Sequence, residues 1–352
     1  MVVMATSSPK VSVLMAVYDG ERFLRQAIAS ILEQTFADFE FVIVDDGSSD
    51  FTWQIMQEYA QEDARVVLLR NQTNQGLAKS LNRGLEIARG EYIARMDADD
   101  VSLPERLGVQ ASFLDGHAQV GLVGSAIKMI DADGSYIKTI RHPKSHNFIL
   151  WNLCFHTPLA HPSVMFRKDV VDCVGGYDDE LPVNQDRDLW QRLSSVTRFA
   201  NLSEAHLLFR RHDGSITHQF GDVQARHSAR AGQRMMSQIL ERDVSYRICY
   251  NIRRHRFETP DAAVQAVNLI RDLYNAFMAK QTLSSLEKRK IRADAIQRVY
   301  QLSRPYWRVA KMRKAFSQFS LSMKVMPVLG WWLRFGLQSA RQLASQSIRR
   351  LS

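Results

Sequence analysis

The stretch Met96-Asp97-Ala98-Asp99-Asp100 concentrates side chains that can do chemistry. Neighbouring carboxylates repel one another unless a cation shares them. In extended backbone, side chains at i and i+2 point to one face, so Asp97 and Asp99 could hold one hard divalent ion through oxygen. A solvated acidic turn before a helix starting near Pro104 is the plainer reading. Two more acidic clusters stand at similar places. Asp45-Asp46-Gly47-Ser48-Ser49-Asp50 follows Val42-Ile43-Val44, and Gln185-Asp186-Arg187-Asp188 precedes Leu189-Trp190. The chain has no Gly-x-Gly-x-x-Gly after its first apolar run and no Walker lysine loop. A nucleotide would therefore rely on carboxylate contacts to base or ribose, from Asp45 or Asp46. A metal on Asp97 and Asp99 would hold its diphosphate. Ser49 or Asp50 serves as a helix cap.

The elements around these clusters follow from periodicity. Val11–Val17, Phe39–Val44, Val66–Leu69 and Tyr92–Met96 are short apolar runs that read as strands. Between and after them, Glu21–Glu33, Thr52–Tyr59, Leu77–Ala88 and Pro104–Leu114 read as helices. That alternation predicts parallel strands in a doubly wound α/β sheet, with ligands at the strands' C-terminal ends. The Asp46 and Asp97 clusters then share one edge. Residues 120–210 read differently. They hold a hairpin over Ile127–Ile140, strands at Ser163–Phe166 and Leu207–Arg210, and a helix over Asp186–Leu193. From Asp222 the chain is helical, with breaks near Pro260, Pro305 and Pro327.

A chain of 352 residues, 45% apolar, suits two domains or one with an extension. Cys154, Cys173 and Cys249 have neither zinc nor redox spacing, which fits a reducing cytosol. No signal peptide or membrane-spanning helix is expected. The net charge of +9 is divided. Residues 1–224 carry 21 Lys and Arg against 30 Asp and Glu, whereas residues 225–352 carry 25 against 7. This asymmetry marks two functionally different regions, an N-terminal one over 1–224 and a basic helical one over 225–352 that meets an anionic surface.

Together the motifs carry a resemblance. They are Val11–Gly20, Val42–Asp50, Asn74-Gln75-Gly76-Leu77-Ala78 with Asn82, Gly90–Asp100, His161–Arg167, Gly175-Gly176-Tyr177-Asp178 and Asp186–Trp190. In this order, over about residues 10–215, the chain resembles a family 2 glycosyltransferase of the GT-A fold. It is similar in particular to bacterial enzymes that build lipopolysaccharide and other surface glycans. The resemblance implies a Rossmann-like nucleotide-diphospho-sugar transferase domain with a helical C-terminal extension. The implied activity is inverting transfer of a hexosyl or N-acetylhexosaminyl group from a UDP-linked donor, with Mg²⁺ or Mn²⁺. By position, Asp46 would contact the base, Tyr18 and Asp19 would flank it, and Arg95 would lie near the donor. Asp97 and Asp99 would form the Asp-x-Asp site, and Asp186 would be the catalytic base. Gln185 stands where the family commonly has Glu, and Asp19 where Asn is common.

Other residues have weaker signals. His161 is a candidate for the acceptor pocket and His212 for a third metal ligand. Arg210 and Arg211 are candidates for neutralising the diphosphate. Asp188 reads as a first-turn dipole partner or acceptor contact. Met323–Phe335 joins Trp331 and Trp332 to flanking cations, a composition suited to a membrane interface. The expected setting is cytoplasmic, peripheral at the inner face of the membrane, with a glycan or lipid-linked glycan as acceptor. A noncatalytic nucleotide-sugar binder, or a membrane scaffold, is the alternative from another class. A metal-dependent phosphohydrolase is a third. No nucleic-acid-binding motif is present.

Overall fold

A computed structural model of the chain describes residues 8–213 and 221–322. Its first strand, β1 (Val11–Val17), is buried along its whole length. Val13 and Met15 pack with Leu24, Ile28 and Ile31 of helix α1 (Glu21–Leu32). Leu14 faces the other way, toward Gly84 of α3 (Leu77–Ile87), where a Cβ would stand 2.3 Å from Leu14 Cδ1. A strand covered on both faces must be apolar at every position, hence the unbroken run. The exception, Ser12, is satisfied: its Oγ donates to Glu40 and accepts from the Gly90 amide, at 2.6 and 2.8 Å.

β2 (Phe39–Asp45), α2 (Thr52–Glu62), β3 (Val66–Arg70) and β4 (Tyr92–Met96) complete a parallel half-sheet. β1 lies between β2 and β4, with Val17 opposite Asp45 and Met15 opposite Met96. The strand order therefore reverses at β1, and the crevice between β1 and β4 opens at their C-terminal ends. The rest of the sheet is mixed. It uses β5 (Val101–Ser102), β6 (Val120–Ile130), β7 (Tyr136–Ile140), β8 (Met165–Arg167) and β9 (Arg198–Arg210). The order is β3-β2-β1-β4-β8-β6-β9-β5, with β7 on β6. β8 is antiparallel to β4 and β6, and β9 is parallel to β6. Helices α4 (Arg106–Asp115), α5 (His146–Leu153), α6 (Lys168–Cys173) and α7 (Gln185–Leu193) connect these strands.

β9 is much longer than the expected Leu207–Arg210. Polar Asn201, Ser203 and Glu204 interrupt its apolar alternation, and its pairing with β6 shifts register more than once. β5 is only two residues long and has no period to read.

The remaining helices are α8 (Gly221–Leu240), α9 (Tyr246–Arg254), α10 (Pro260–Lys280), α11 (Ser285–Ser303) and α12 (Ala310–Ser322). Two compact units result. Among the described residues, one runs to Arg254 and includes Leu283–Glu287; the other comprises His255–Thr282 and residues 288–322. The first unit therefore takes in α8 and α9, beyond the change of charge at residue 224. Buried Arg187 of α7 holds α8 there, donating to the carbonyls of Ser228 and Leu153, both at 2.7 Å. In the second unit, Thr259 caps α10 by accepting the Ala262 amide at 3.2 Å. Among the described residues, no helix is long and apolar enough to cross a membrane. Met323–Phe335, expected at a membrane interface, lies outside the described residues.

Candidate active site

The loops after β1, β2 and β3 are laced together by carboxylates. Asp19 adopts a left-handed φ of 46°. Its amide donates to Ser48 Oγ at 3.0 Å, and its Oδ1 accepts the Ser49 amide at 2.8 Å. Tyr18 is 51% exposed beside it. The charge of Asp19 raises the phenol's pKa, with a bond to Asn74 opposing. Asp45 accepts the Ser48 amide and pairs with Arg70, both at 3.0 Å. Asp46 is buried and accepts from Asn71 Nδ2, the Gln75 amide and the Gly76 amide, at 2.7, 2.8 and 2.9 Å. It thus holds the loop that starts α3. Asn71 carries no spacing that would mark it in the sequence, and Gln75 and Gly76 stand out there only within the Asn74–Ala78 motif.

A cleft of about 410 Å³ lies here, lined by Gly47, Ser48, Arg70, Asn71 and Gln72. Gly47 has φ +78°, and a Cβ on it would stand 2.6 Å from the Thr73 carbonyl carbon. Gly47→Ala combines a left-handed penalty with a clash against backbone. It should lower stability by about 2–4 kcal/mol and weaken nucleotide binding, as measured by urea unfolding and UDP titration.

The second group follows β4. Oxygens of Asp97, Asp99 and Asp100 lie within 4.8 Å of one another. Asp100 is buried; its Oδ1 accepts the Arg210 amide at 2.8 Å, while Oδ2 has no hydrogen-bond partner. Burial, then the charges of Asp99 and Asp97, push its pKa well up. Burial and Asp97 also raise Asp99, against the pull of His212. His212 Nε2 sits 2.9 Å from Asp99 Oδ2. An all-oxygen set with a buried, unpartnered carboxylate oxygen matches the needs of a hard divalent cation. The residues present fit such an ion, with His212 as an added nitrogen at the rim.

Arg210 is not free for a diphosphate. Its Nε donates to Asp99 O at 2.8 Å and Nη2 to Gln26 Oε1 at 2.6 Å. Nη1 reaches the carbonyls of Asp131 and Ala132 at 3.3 and 3.2 Å, and the guanidinium lies 4.7 Å over Phe23. The expectation of a phosphate contact is corrected: Arg210 is structural. Beneath the cluster, buried Arg106 donates to the Arg95 and Val164 carbonyls at 2.6 and 3.2 Å. Burial lowers its pKa to about 9. The sequence offered no sign of Arg106, because its partners are two backbone carbonyls and the uncharged side chains of Gln110 and Met96 rather than an acid.

The third group surrounds α7. Asp186 is half-buried in its first turn. Burial raises its pKa; the Arg187 amide and the charges of Arg187 and Arg95 pull it back only in part. Arg95, on β4, is fully buried and ion-paired with Asp97. Burial opposes its charge most, but Asp97, Tyr177 and Asp100 together outweigh it and keep the guanidinium protonated. Nε and Nη2 find no hydrogen-bond partner. His161 Nε2 lies 2.8 Å from the Tyr177 hydroxyl. Burial, then Arg95, drive the His161 pKa well down, so the ring is neutral. Asp188 is occupied, accepting from Arg192 and Arg234 at 2.8 and 2.7 Å.

A parallel half-sheet with an acidic cluster after β4, continued by mixed strands, is the GT-A class of fold. Residues 12–175 match the family model "Glycosyl transferase family 2". The chain is 36% identical to the O-antigen biosynthesis glycosyltransferase WbnJ of Escherichia coli, over 58% of this chain and 81% of that one. The chain belongs to glycosyltransferase family 2 and is a glycosyltransferase. Two solved structures share the fold. Staphylococcus aureus TarS 1–349 with UDP-GlcNAc has a TM-score of 0.56 at 22% identity, covering 85% of this chain and 92% of that one. The mannosyltransferase PcManGT of Pyrobaculum calidifontis, with GDP-Man and Mn²⁺, has a TM-score of 0.50 at 17% identity, covering 90% and 88%. The family match ends before Asp186.

Proposed function

We propose that the chain is an inverting glycosyltransferase. It takes a hexosyl or N-acetylhexosaminyl group from a nucleotide-diphosphate donor, UDP-linked, and passes it to a glycan or lipid-linked glycan in surface polysaccharide biosynthesis. The observation that carries this is the meeting of Asp97, Asp99 and Asp100 at the β1–β4 crevice. WbnJ supports the O-antigen-like setting, TarS the UDP-sugar, and PcManGT the divalent ion.

Asp97 and Asp99, with His212, would hold Mg²⁺ or Mn²⁺. Such an ion supplies positive charge against the departing diphosphate. Tyr18 offers an exposed ring to the base, flanked by Asp19. Asp46 spends three acceptor positions on the loop between β3 and α3. That leaves one Oδ2 lone pair for a base N–H. Arg95 balances the carboxylates from behind. Asp186 takes the proton of the attacking hydroxyl. The new C–O bond forms opposite the breaking bond to phosphate, and the electron pair leaves with the nucleoside diphosphate. No covalent enzyme intermediate is needed.

Incubating the chain with a panel of nucleotide sugars and Mn²⁺ or Mg²⁺, without acceptor, tests this. One donor should be cleaved slowly to sugar and intact nucleoside diphosphate. Release of inorganic phosphate would favour a phosphohydrolase. UDP binding without turnover would favour a binder.

The basic region is proposed to meet an anionic membrane at the cytoplasmic face. Lys288, Arg289, Lys290, Arg304, Arg308, Arg313 and Lys314 are exposed, Trp307 is 38% exposed, and no acidic residue follows Asp294. Each cation near such a surface adds about 1 kcal/mol. The full chain should float with anionic vesicles and be released by high salt. Sedimentation away from them at low salt would refute membrane contact.

A further inference from the structure

The segment between α6 and α7 makes contacts beyond those the proposed chemistry uses. Asn82 of α3 pairs with both backbone groups of Tyr177. Its Oδ1 accepts the Tyr177 amide and its Nδ2 donates to the Tyr177 carbonyl, both at 2.8 Å. Nδ2 also reaches Asp179 Oδ1 at 2.6 Å. Gly176 has φ +71°, and a Cβ there would stand 2.7 Å from Asn82 Oδ1. From the other side, Arg192 of α7 donates to the carbonyls of Val174 and Gly176, both at 2.7 Å. The Tyr177 hydroxyl bonds His161, whose ring stands edge-on to Trp190 of α7 at 5.9 Å. The loop therefore touches α7 directly through Arg192 and indirectly through His161 and Trp190. Its partner helix α3 begins just after Gly76, whose amide Asp46 holds. Six helical residues, about 9 Å, separate Gly76 from Asn82.

We propose that residues 174–179 form a strut between α3 and α7, and that Asn82 and Arg192 are positioning residues that set where Asp186 stands relative to the donor. This rests on Asp186 being the base. The hydrogen bonds of both residues go to the loop or to Asp188 rather than to Asp186, so both act through the loop. A carboxylate displaced by about 1 Å loses on the order of 100-fold in rate, and a loop tied at both ends prevents that drift. Asp46 at the start of α3 and Asp186 at the start of α7 are thereby joined through one rigid path.

The test uses the full chain with Asn82→Ala and Arg192→Met. UDP affinity with Mn²⁺, turnover of whichever nucleotide sugar the wild type hydrolyses, and amide hydrogen exchange are measured. UDP affinity should stay within about 2-fold, while turnover falls roughly 10–100-fold. Exchange should quicken at 174–179 and in the first turn of α7. If Asn82→Ala does not fold, Asn82→Asp keeps the shape and the bond from the Tyr177 amide but loses both donations; the same split is expected. Unchanged turnover overturns the proposal, as does faster exchange in the loop alone. So does a parallel fall of turnover and UDP affinity. Asp186→Asn is the control. If it keeps full turnover, the base assignment fails, and exchange at α7 still decides whether the strut holds that helix.

Discussion

Asp186→Asn should lower sugar transfer by on the order of 10²–10⁴-fold, the usual worth of a positioned general base. UDP affinity and the unfolding midpoint should stay near those of the wild type. Asn keeps the shape of Asp but cannot accept the hydroxyl proton. The pH profile gives an independent sign. Burial raises the Asp186 pKa above its ordinary value near 4. A base works only when ionised, so kcat/KM should fall as pH drops through that raised value. The acid limb should lie above the ordinary carboxylate range in the wild type. In Asp186→Asn the same limb should vanish from the residual activity. Measuring kcat/KM from pH 4 to 9 on both proteins checks this; an unchanged limb in the variant would assign it to another group.

Asp99→Ala should reduce transfer by about 10³-fold or more and abolish the stabilisation that Mn²⁺ gives the wild type. Asp99 is the carboxylate that His212 touches and that shares the cluster with Asp97 and Asp100. An ion at 100 times its Kd adds about 2.7 kcal/mol to folding stability. The wild type should therefore melt several degrees higher with Mn²⁺ than with a chelator, and the variant at one temperature in both. In metal-free buffer Asp99→Ala should be no less stable than the wild type, because it removes one of three crowded carboxylates. Equal melting of the wild type with and without Mn²⁺ would refute the cation site.

The parallel half of the sheet was legible because buried strands must be apolar at every position, and β1, β2 and β4 are nearly so. The acidic clusters were legible as well, since several carboxylates at strand ends need a reason. What the carboxylates bond to was not. Asp46 is met by the backbone amides of Gln75 and Gly76, and any residue type supplies an amide. The buried cations were invisible for the same reason. Arg106 and Arg187 donate mainly to carbonyls, which leave no complementary acid elsewhere in the chain. In the sequence Arg210 and Arg211 read alike, as candidates for neutralising a diphosphate. Only the tertiary fold separates them, with Arg210 inward and Arg211 exposed.

Arg210 also bears on how this protein comes to exist. Its bonds to Asp100 and Gln26 join residues 110 and 184 positions apart. Contacts of such separation form late, because the chain must first close long loops. During synthesis the acidic turn after β4 must therefore wait for β9 before it acquires its final shape. A fragment ending where the family match ends, at residue 175, would contain the Asp-x-Asp sequence without the rivet that sets it. The final shape of the acidic turn is thus delayed until the whole sheet has been made.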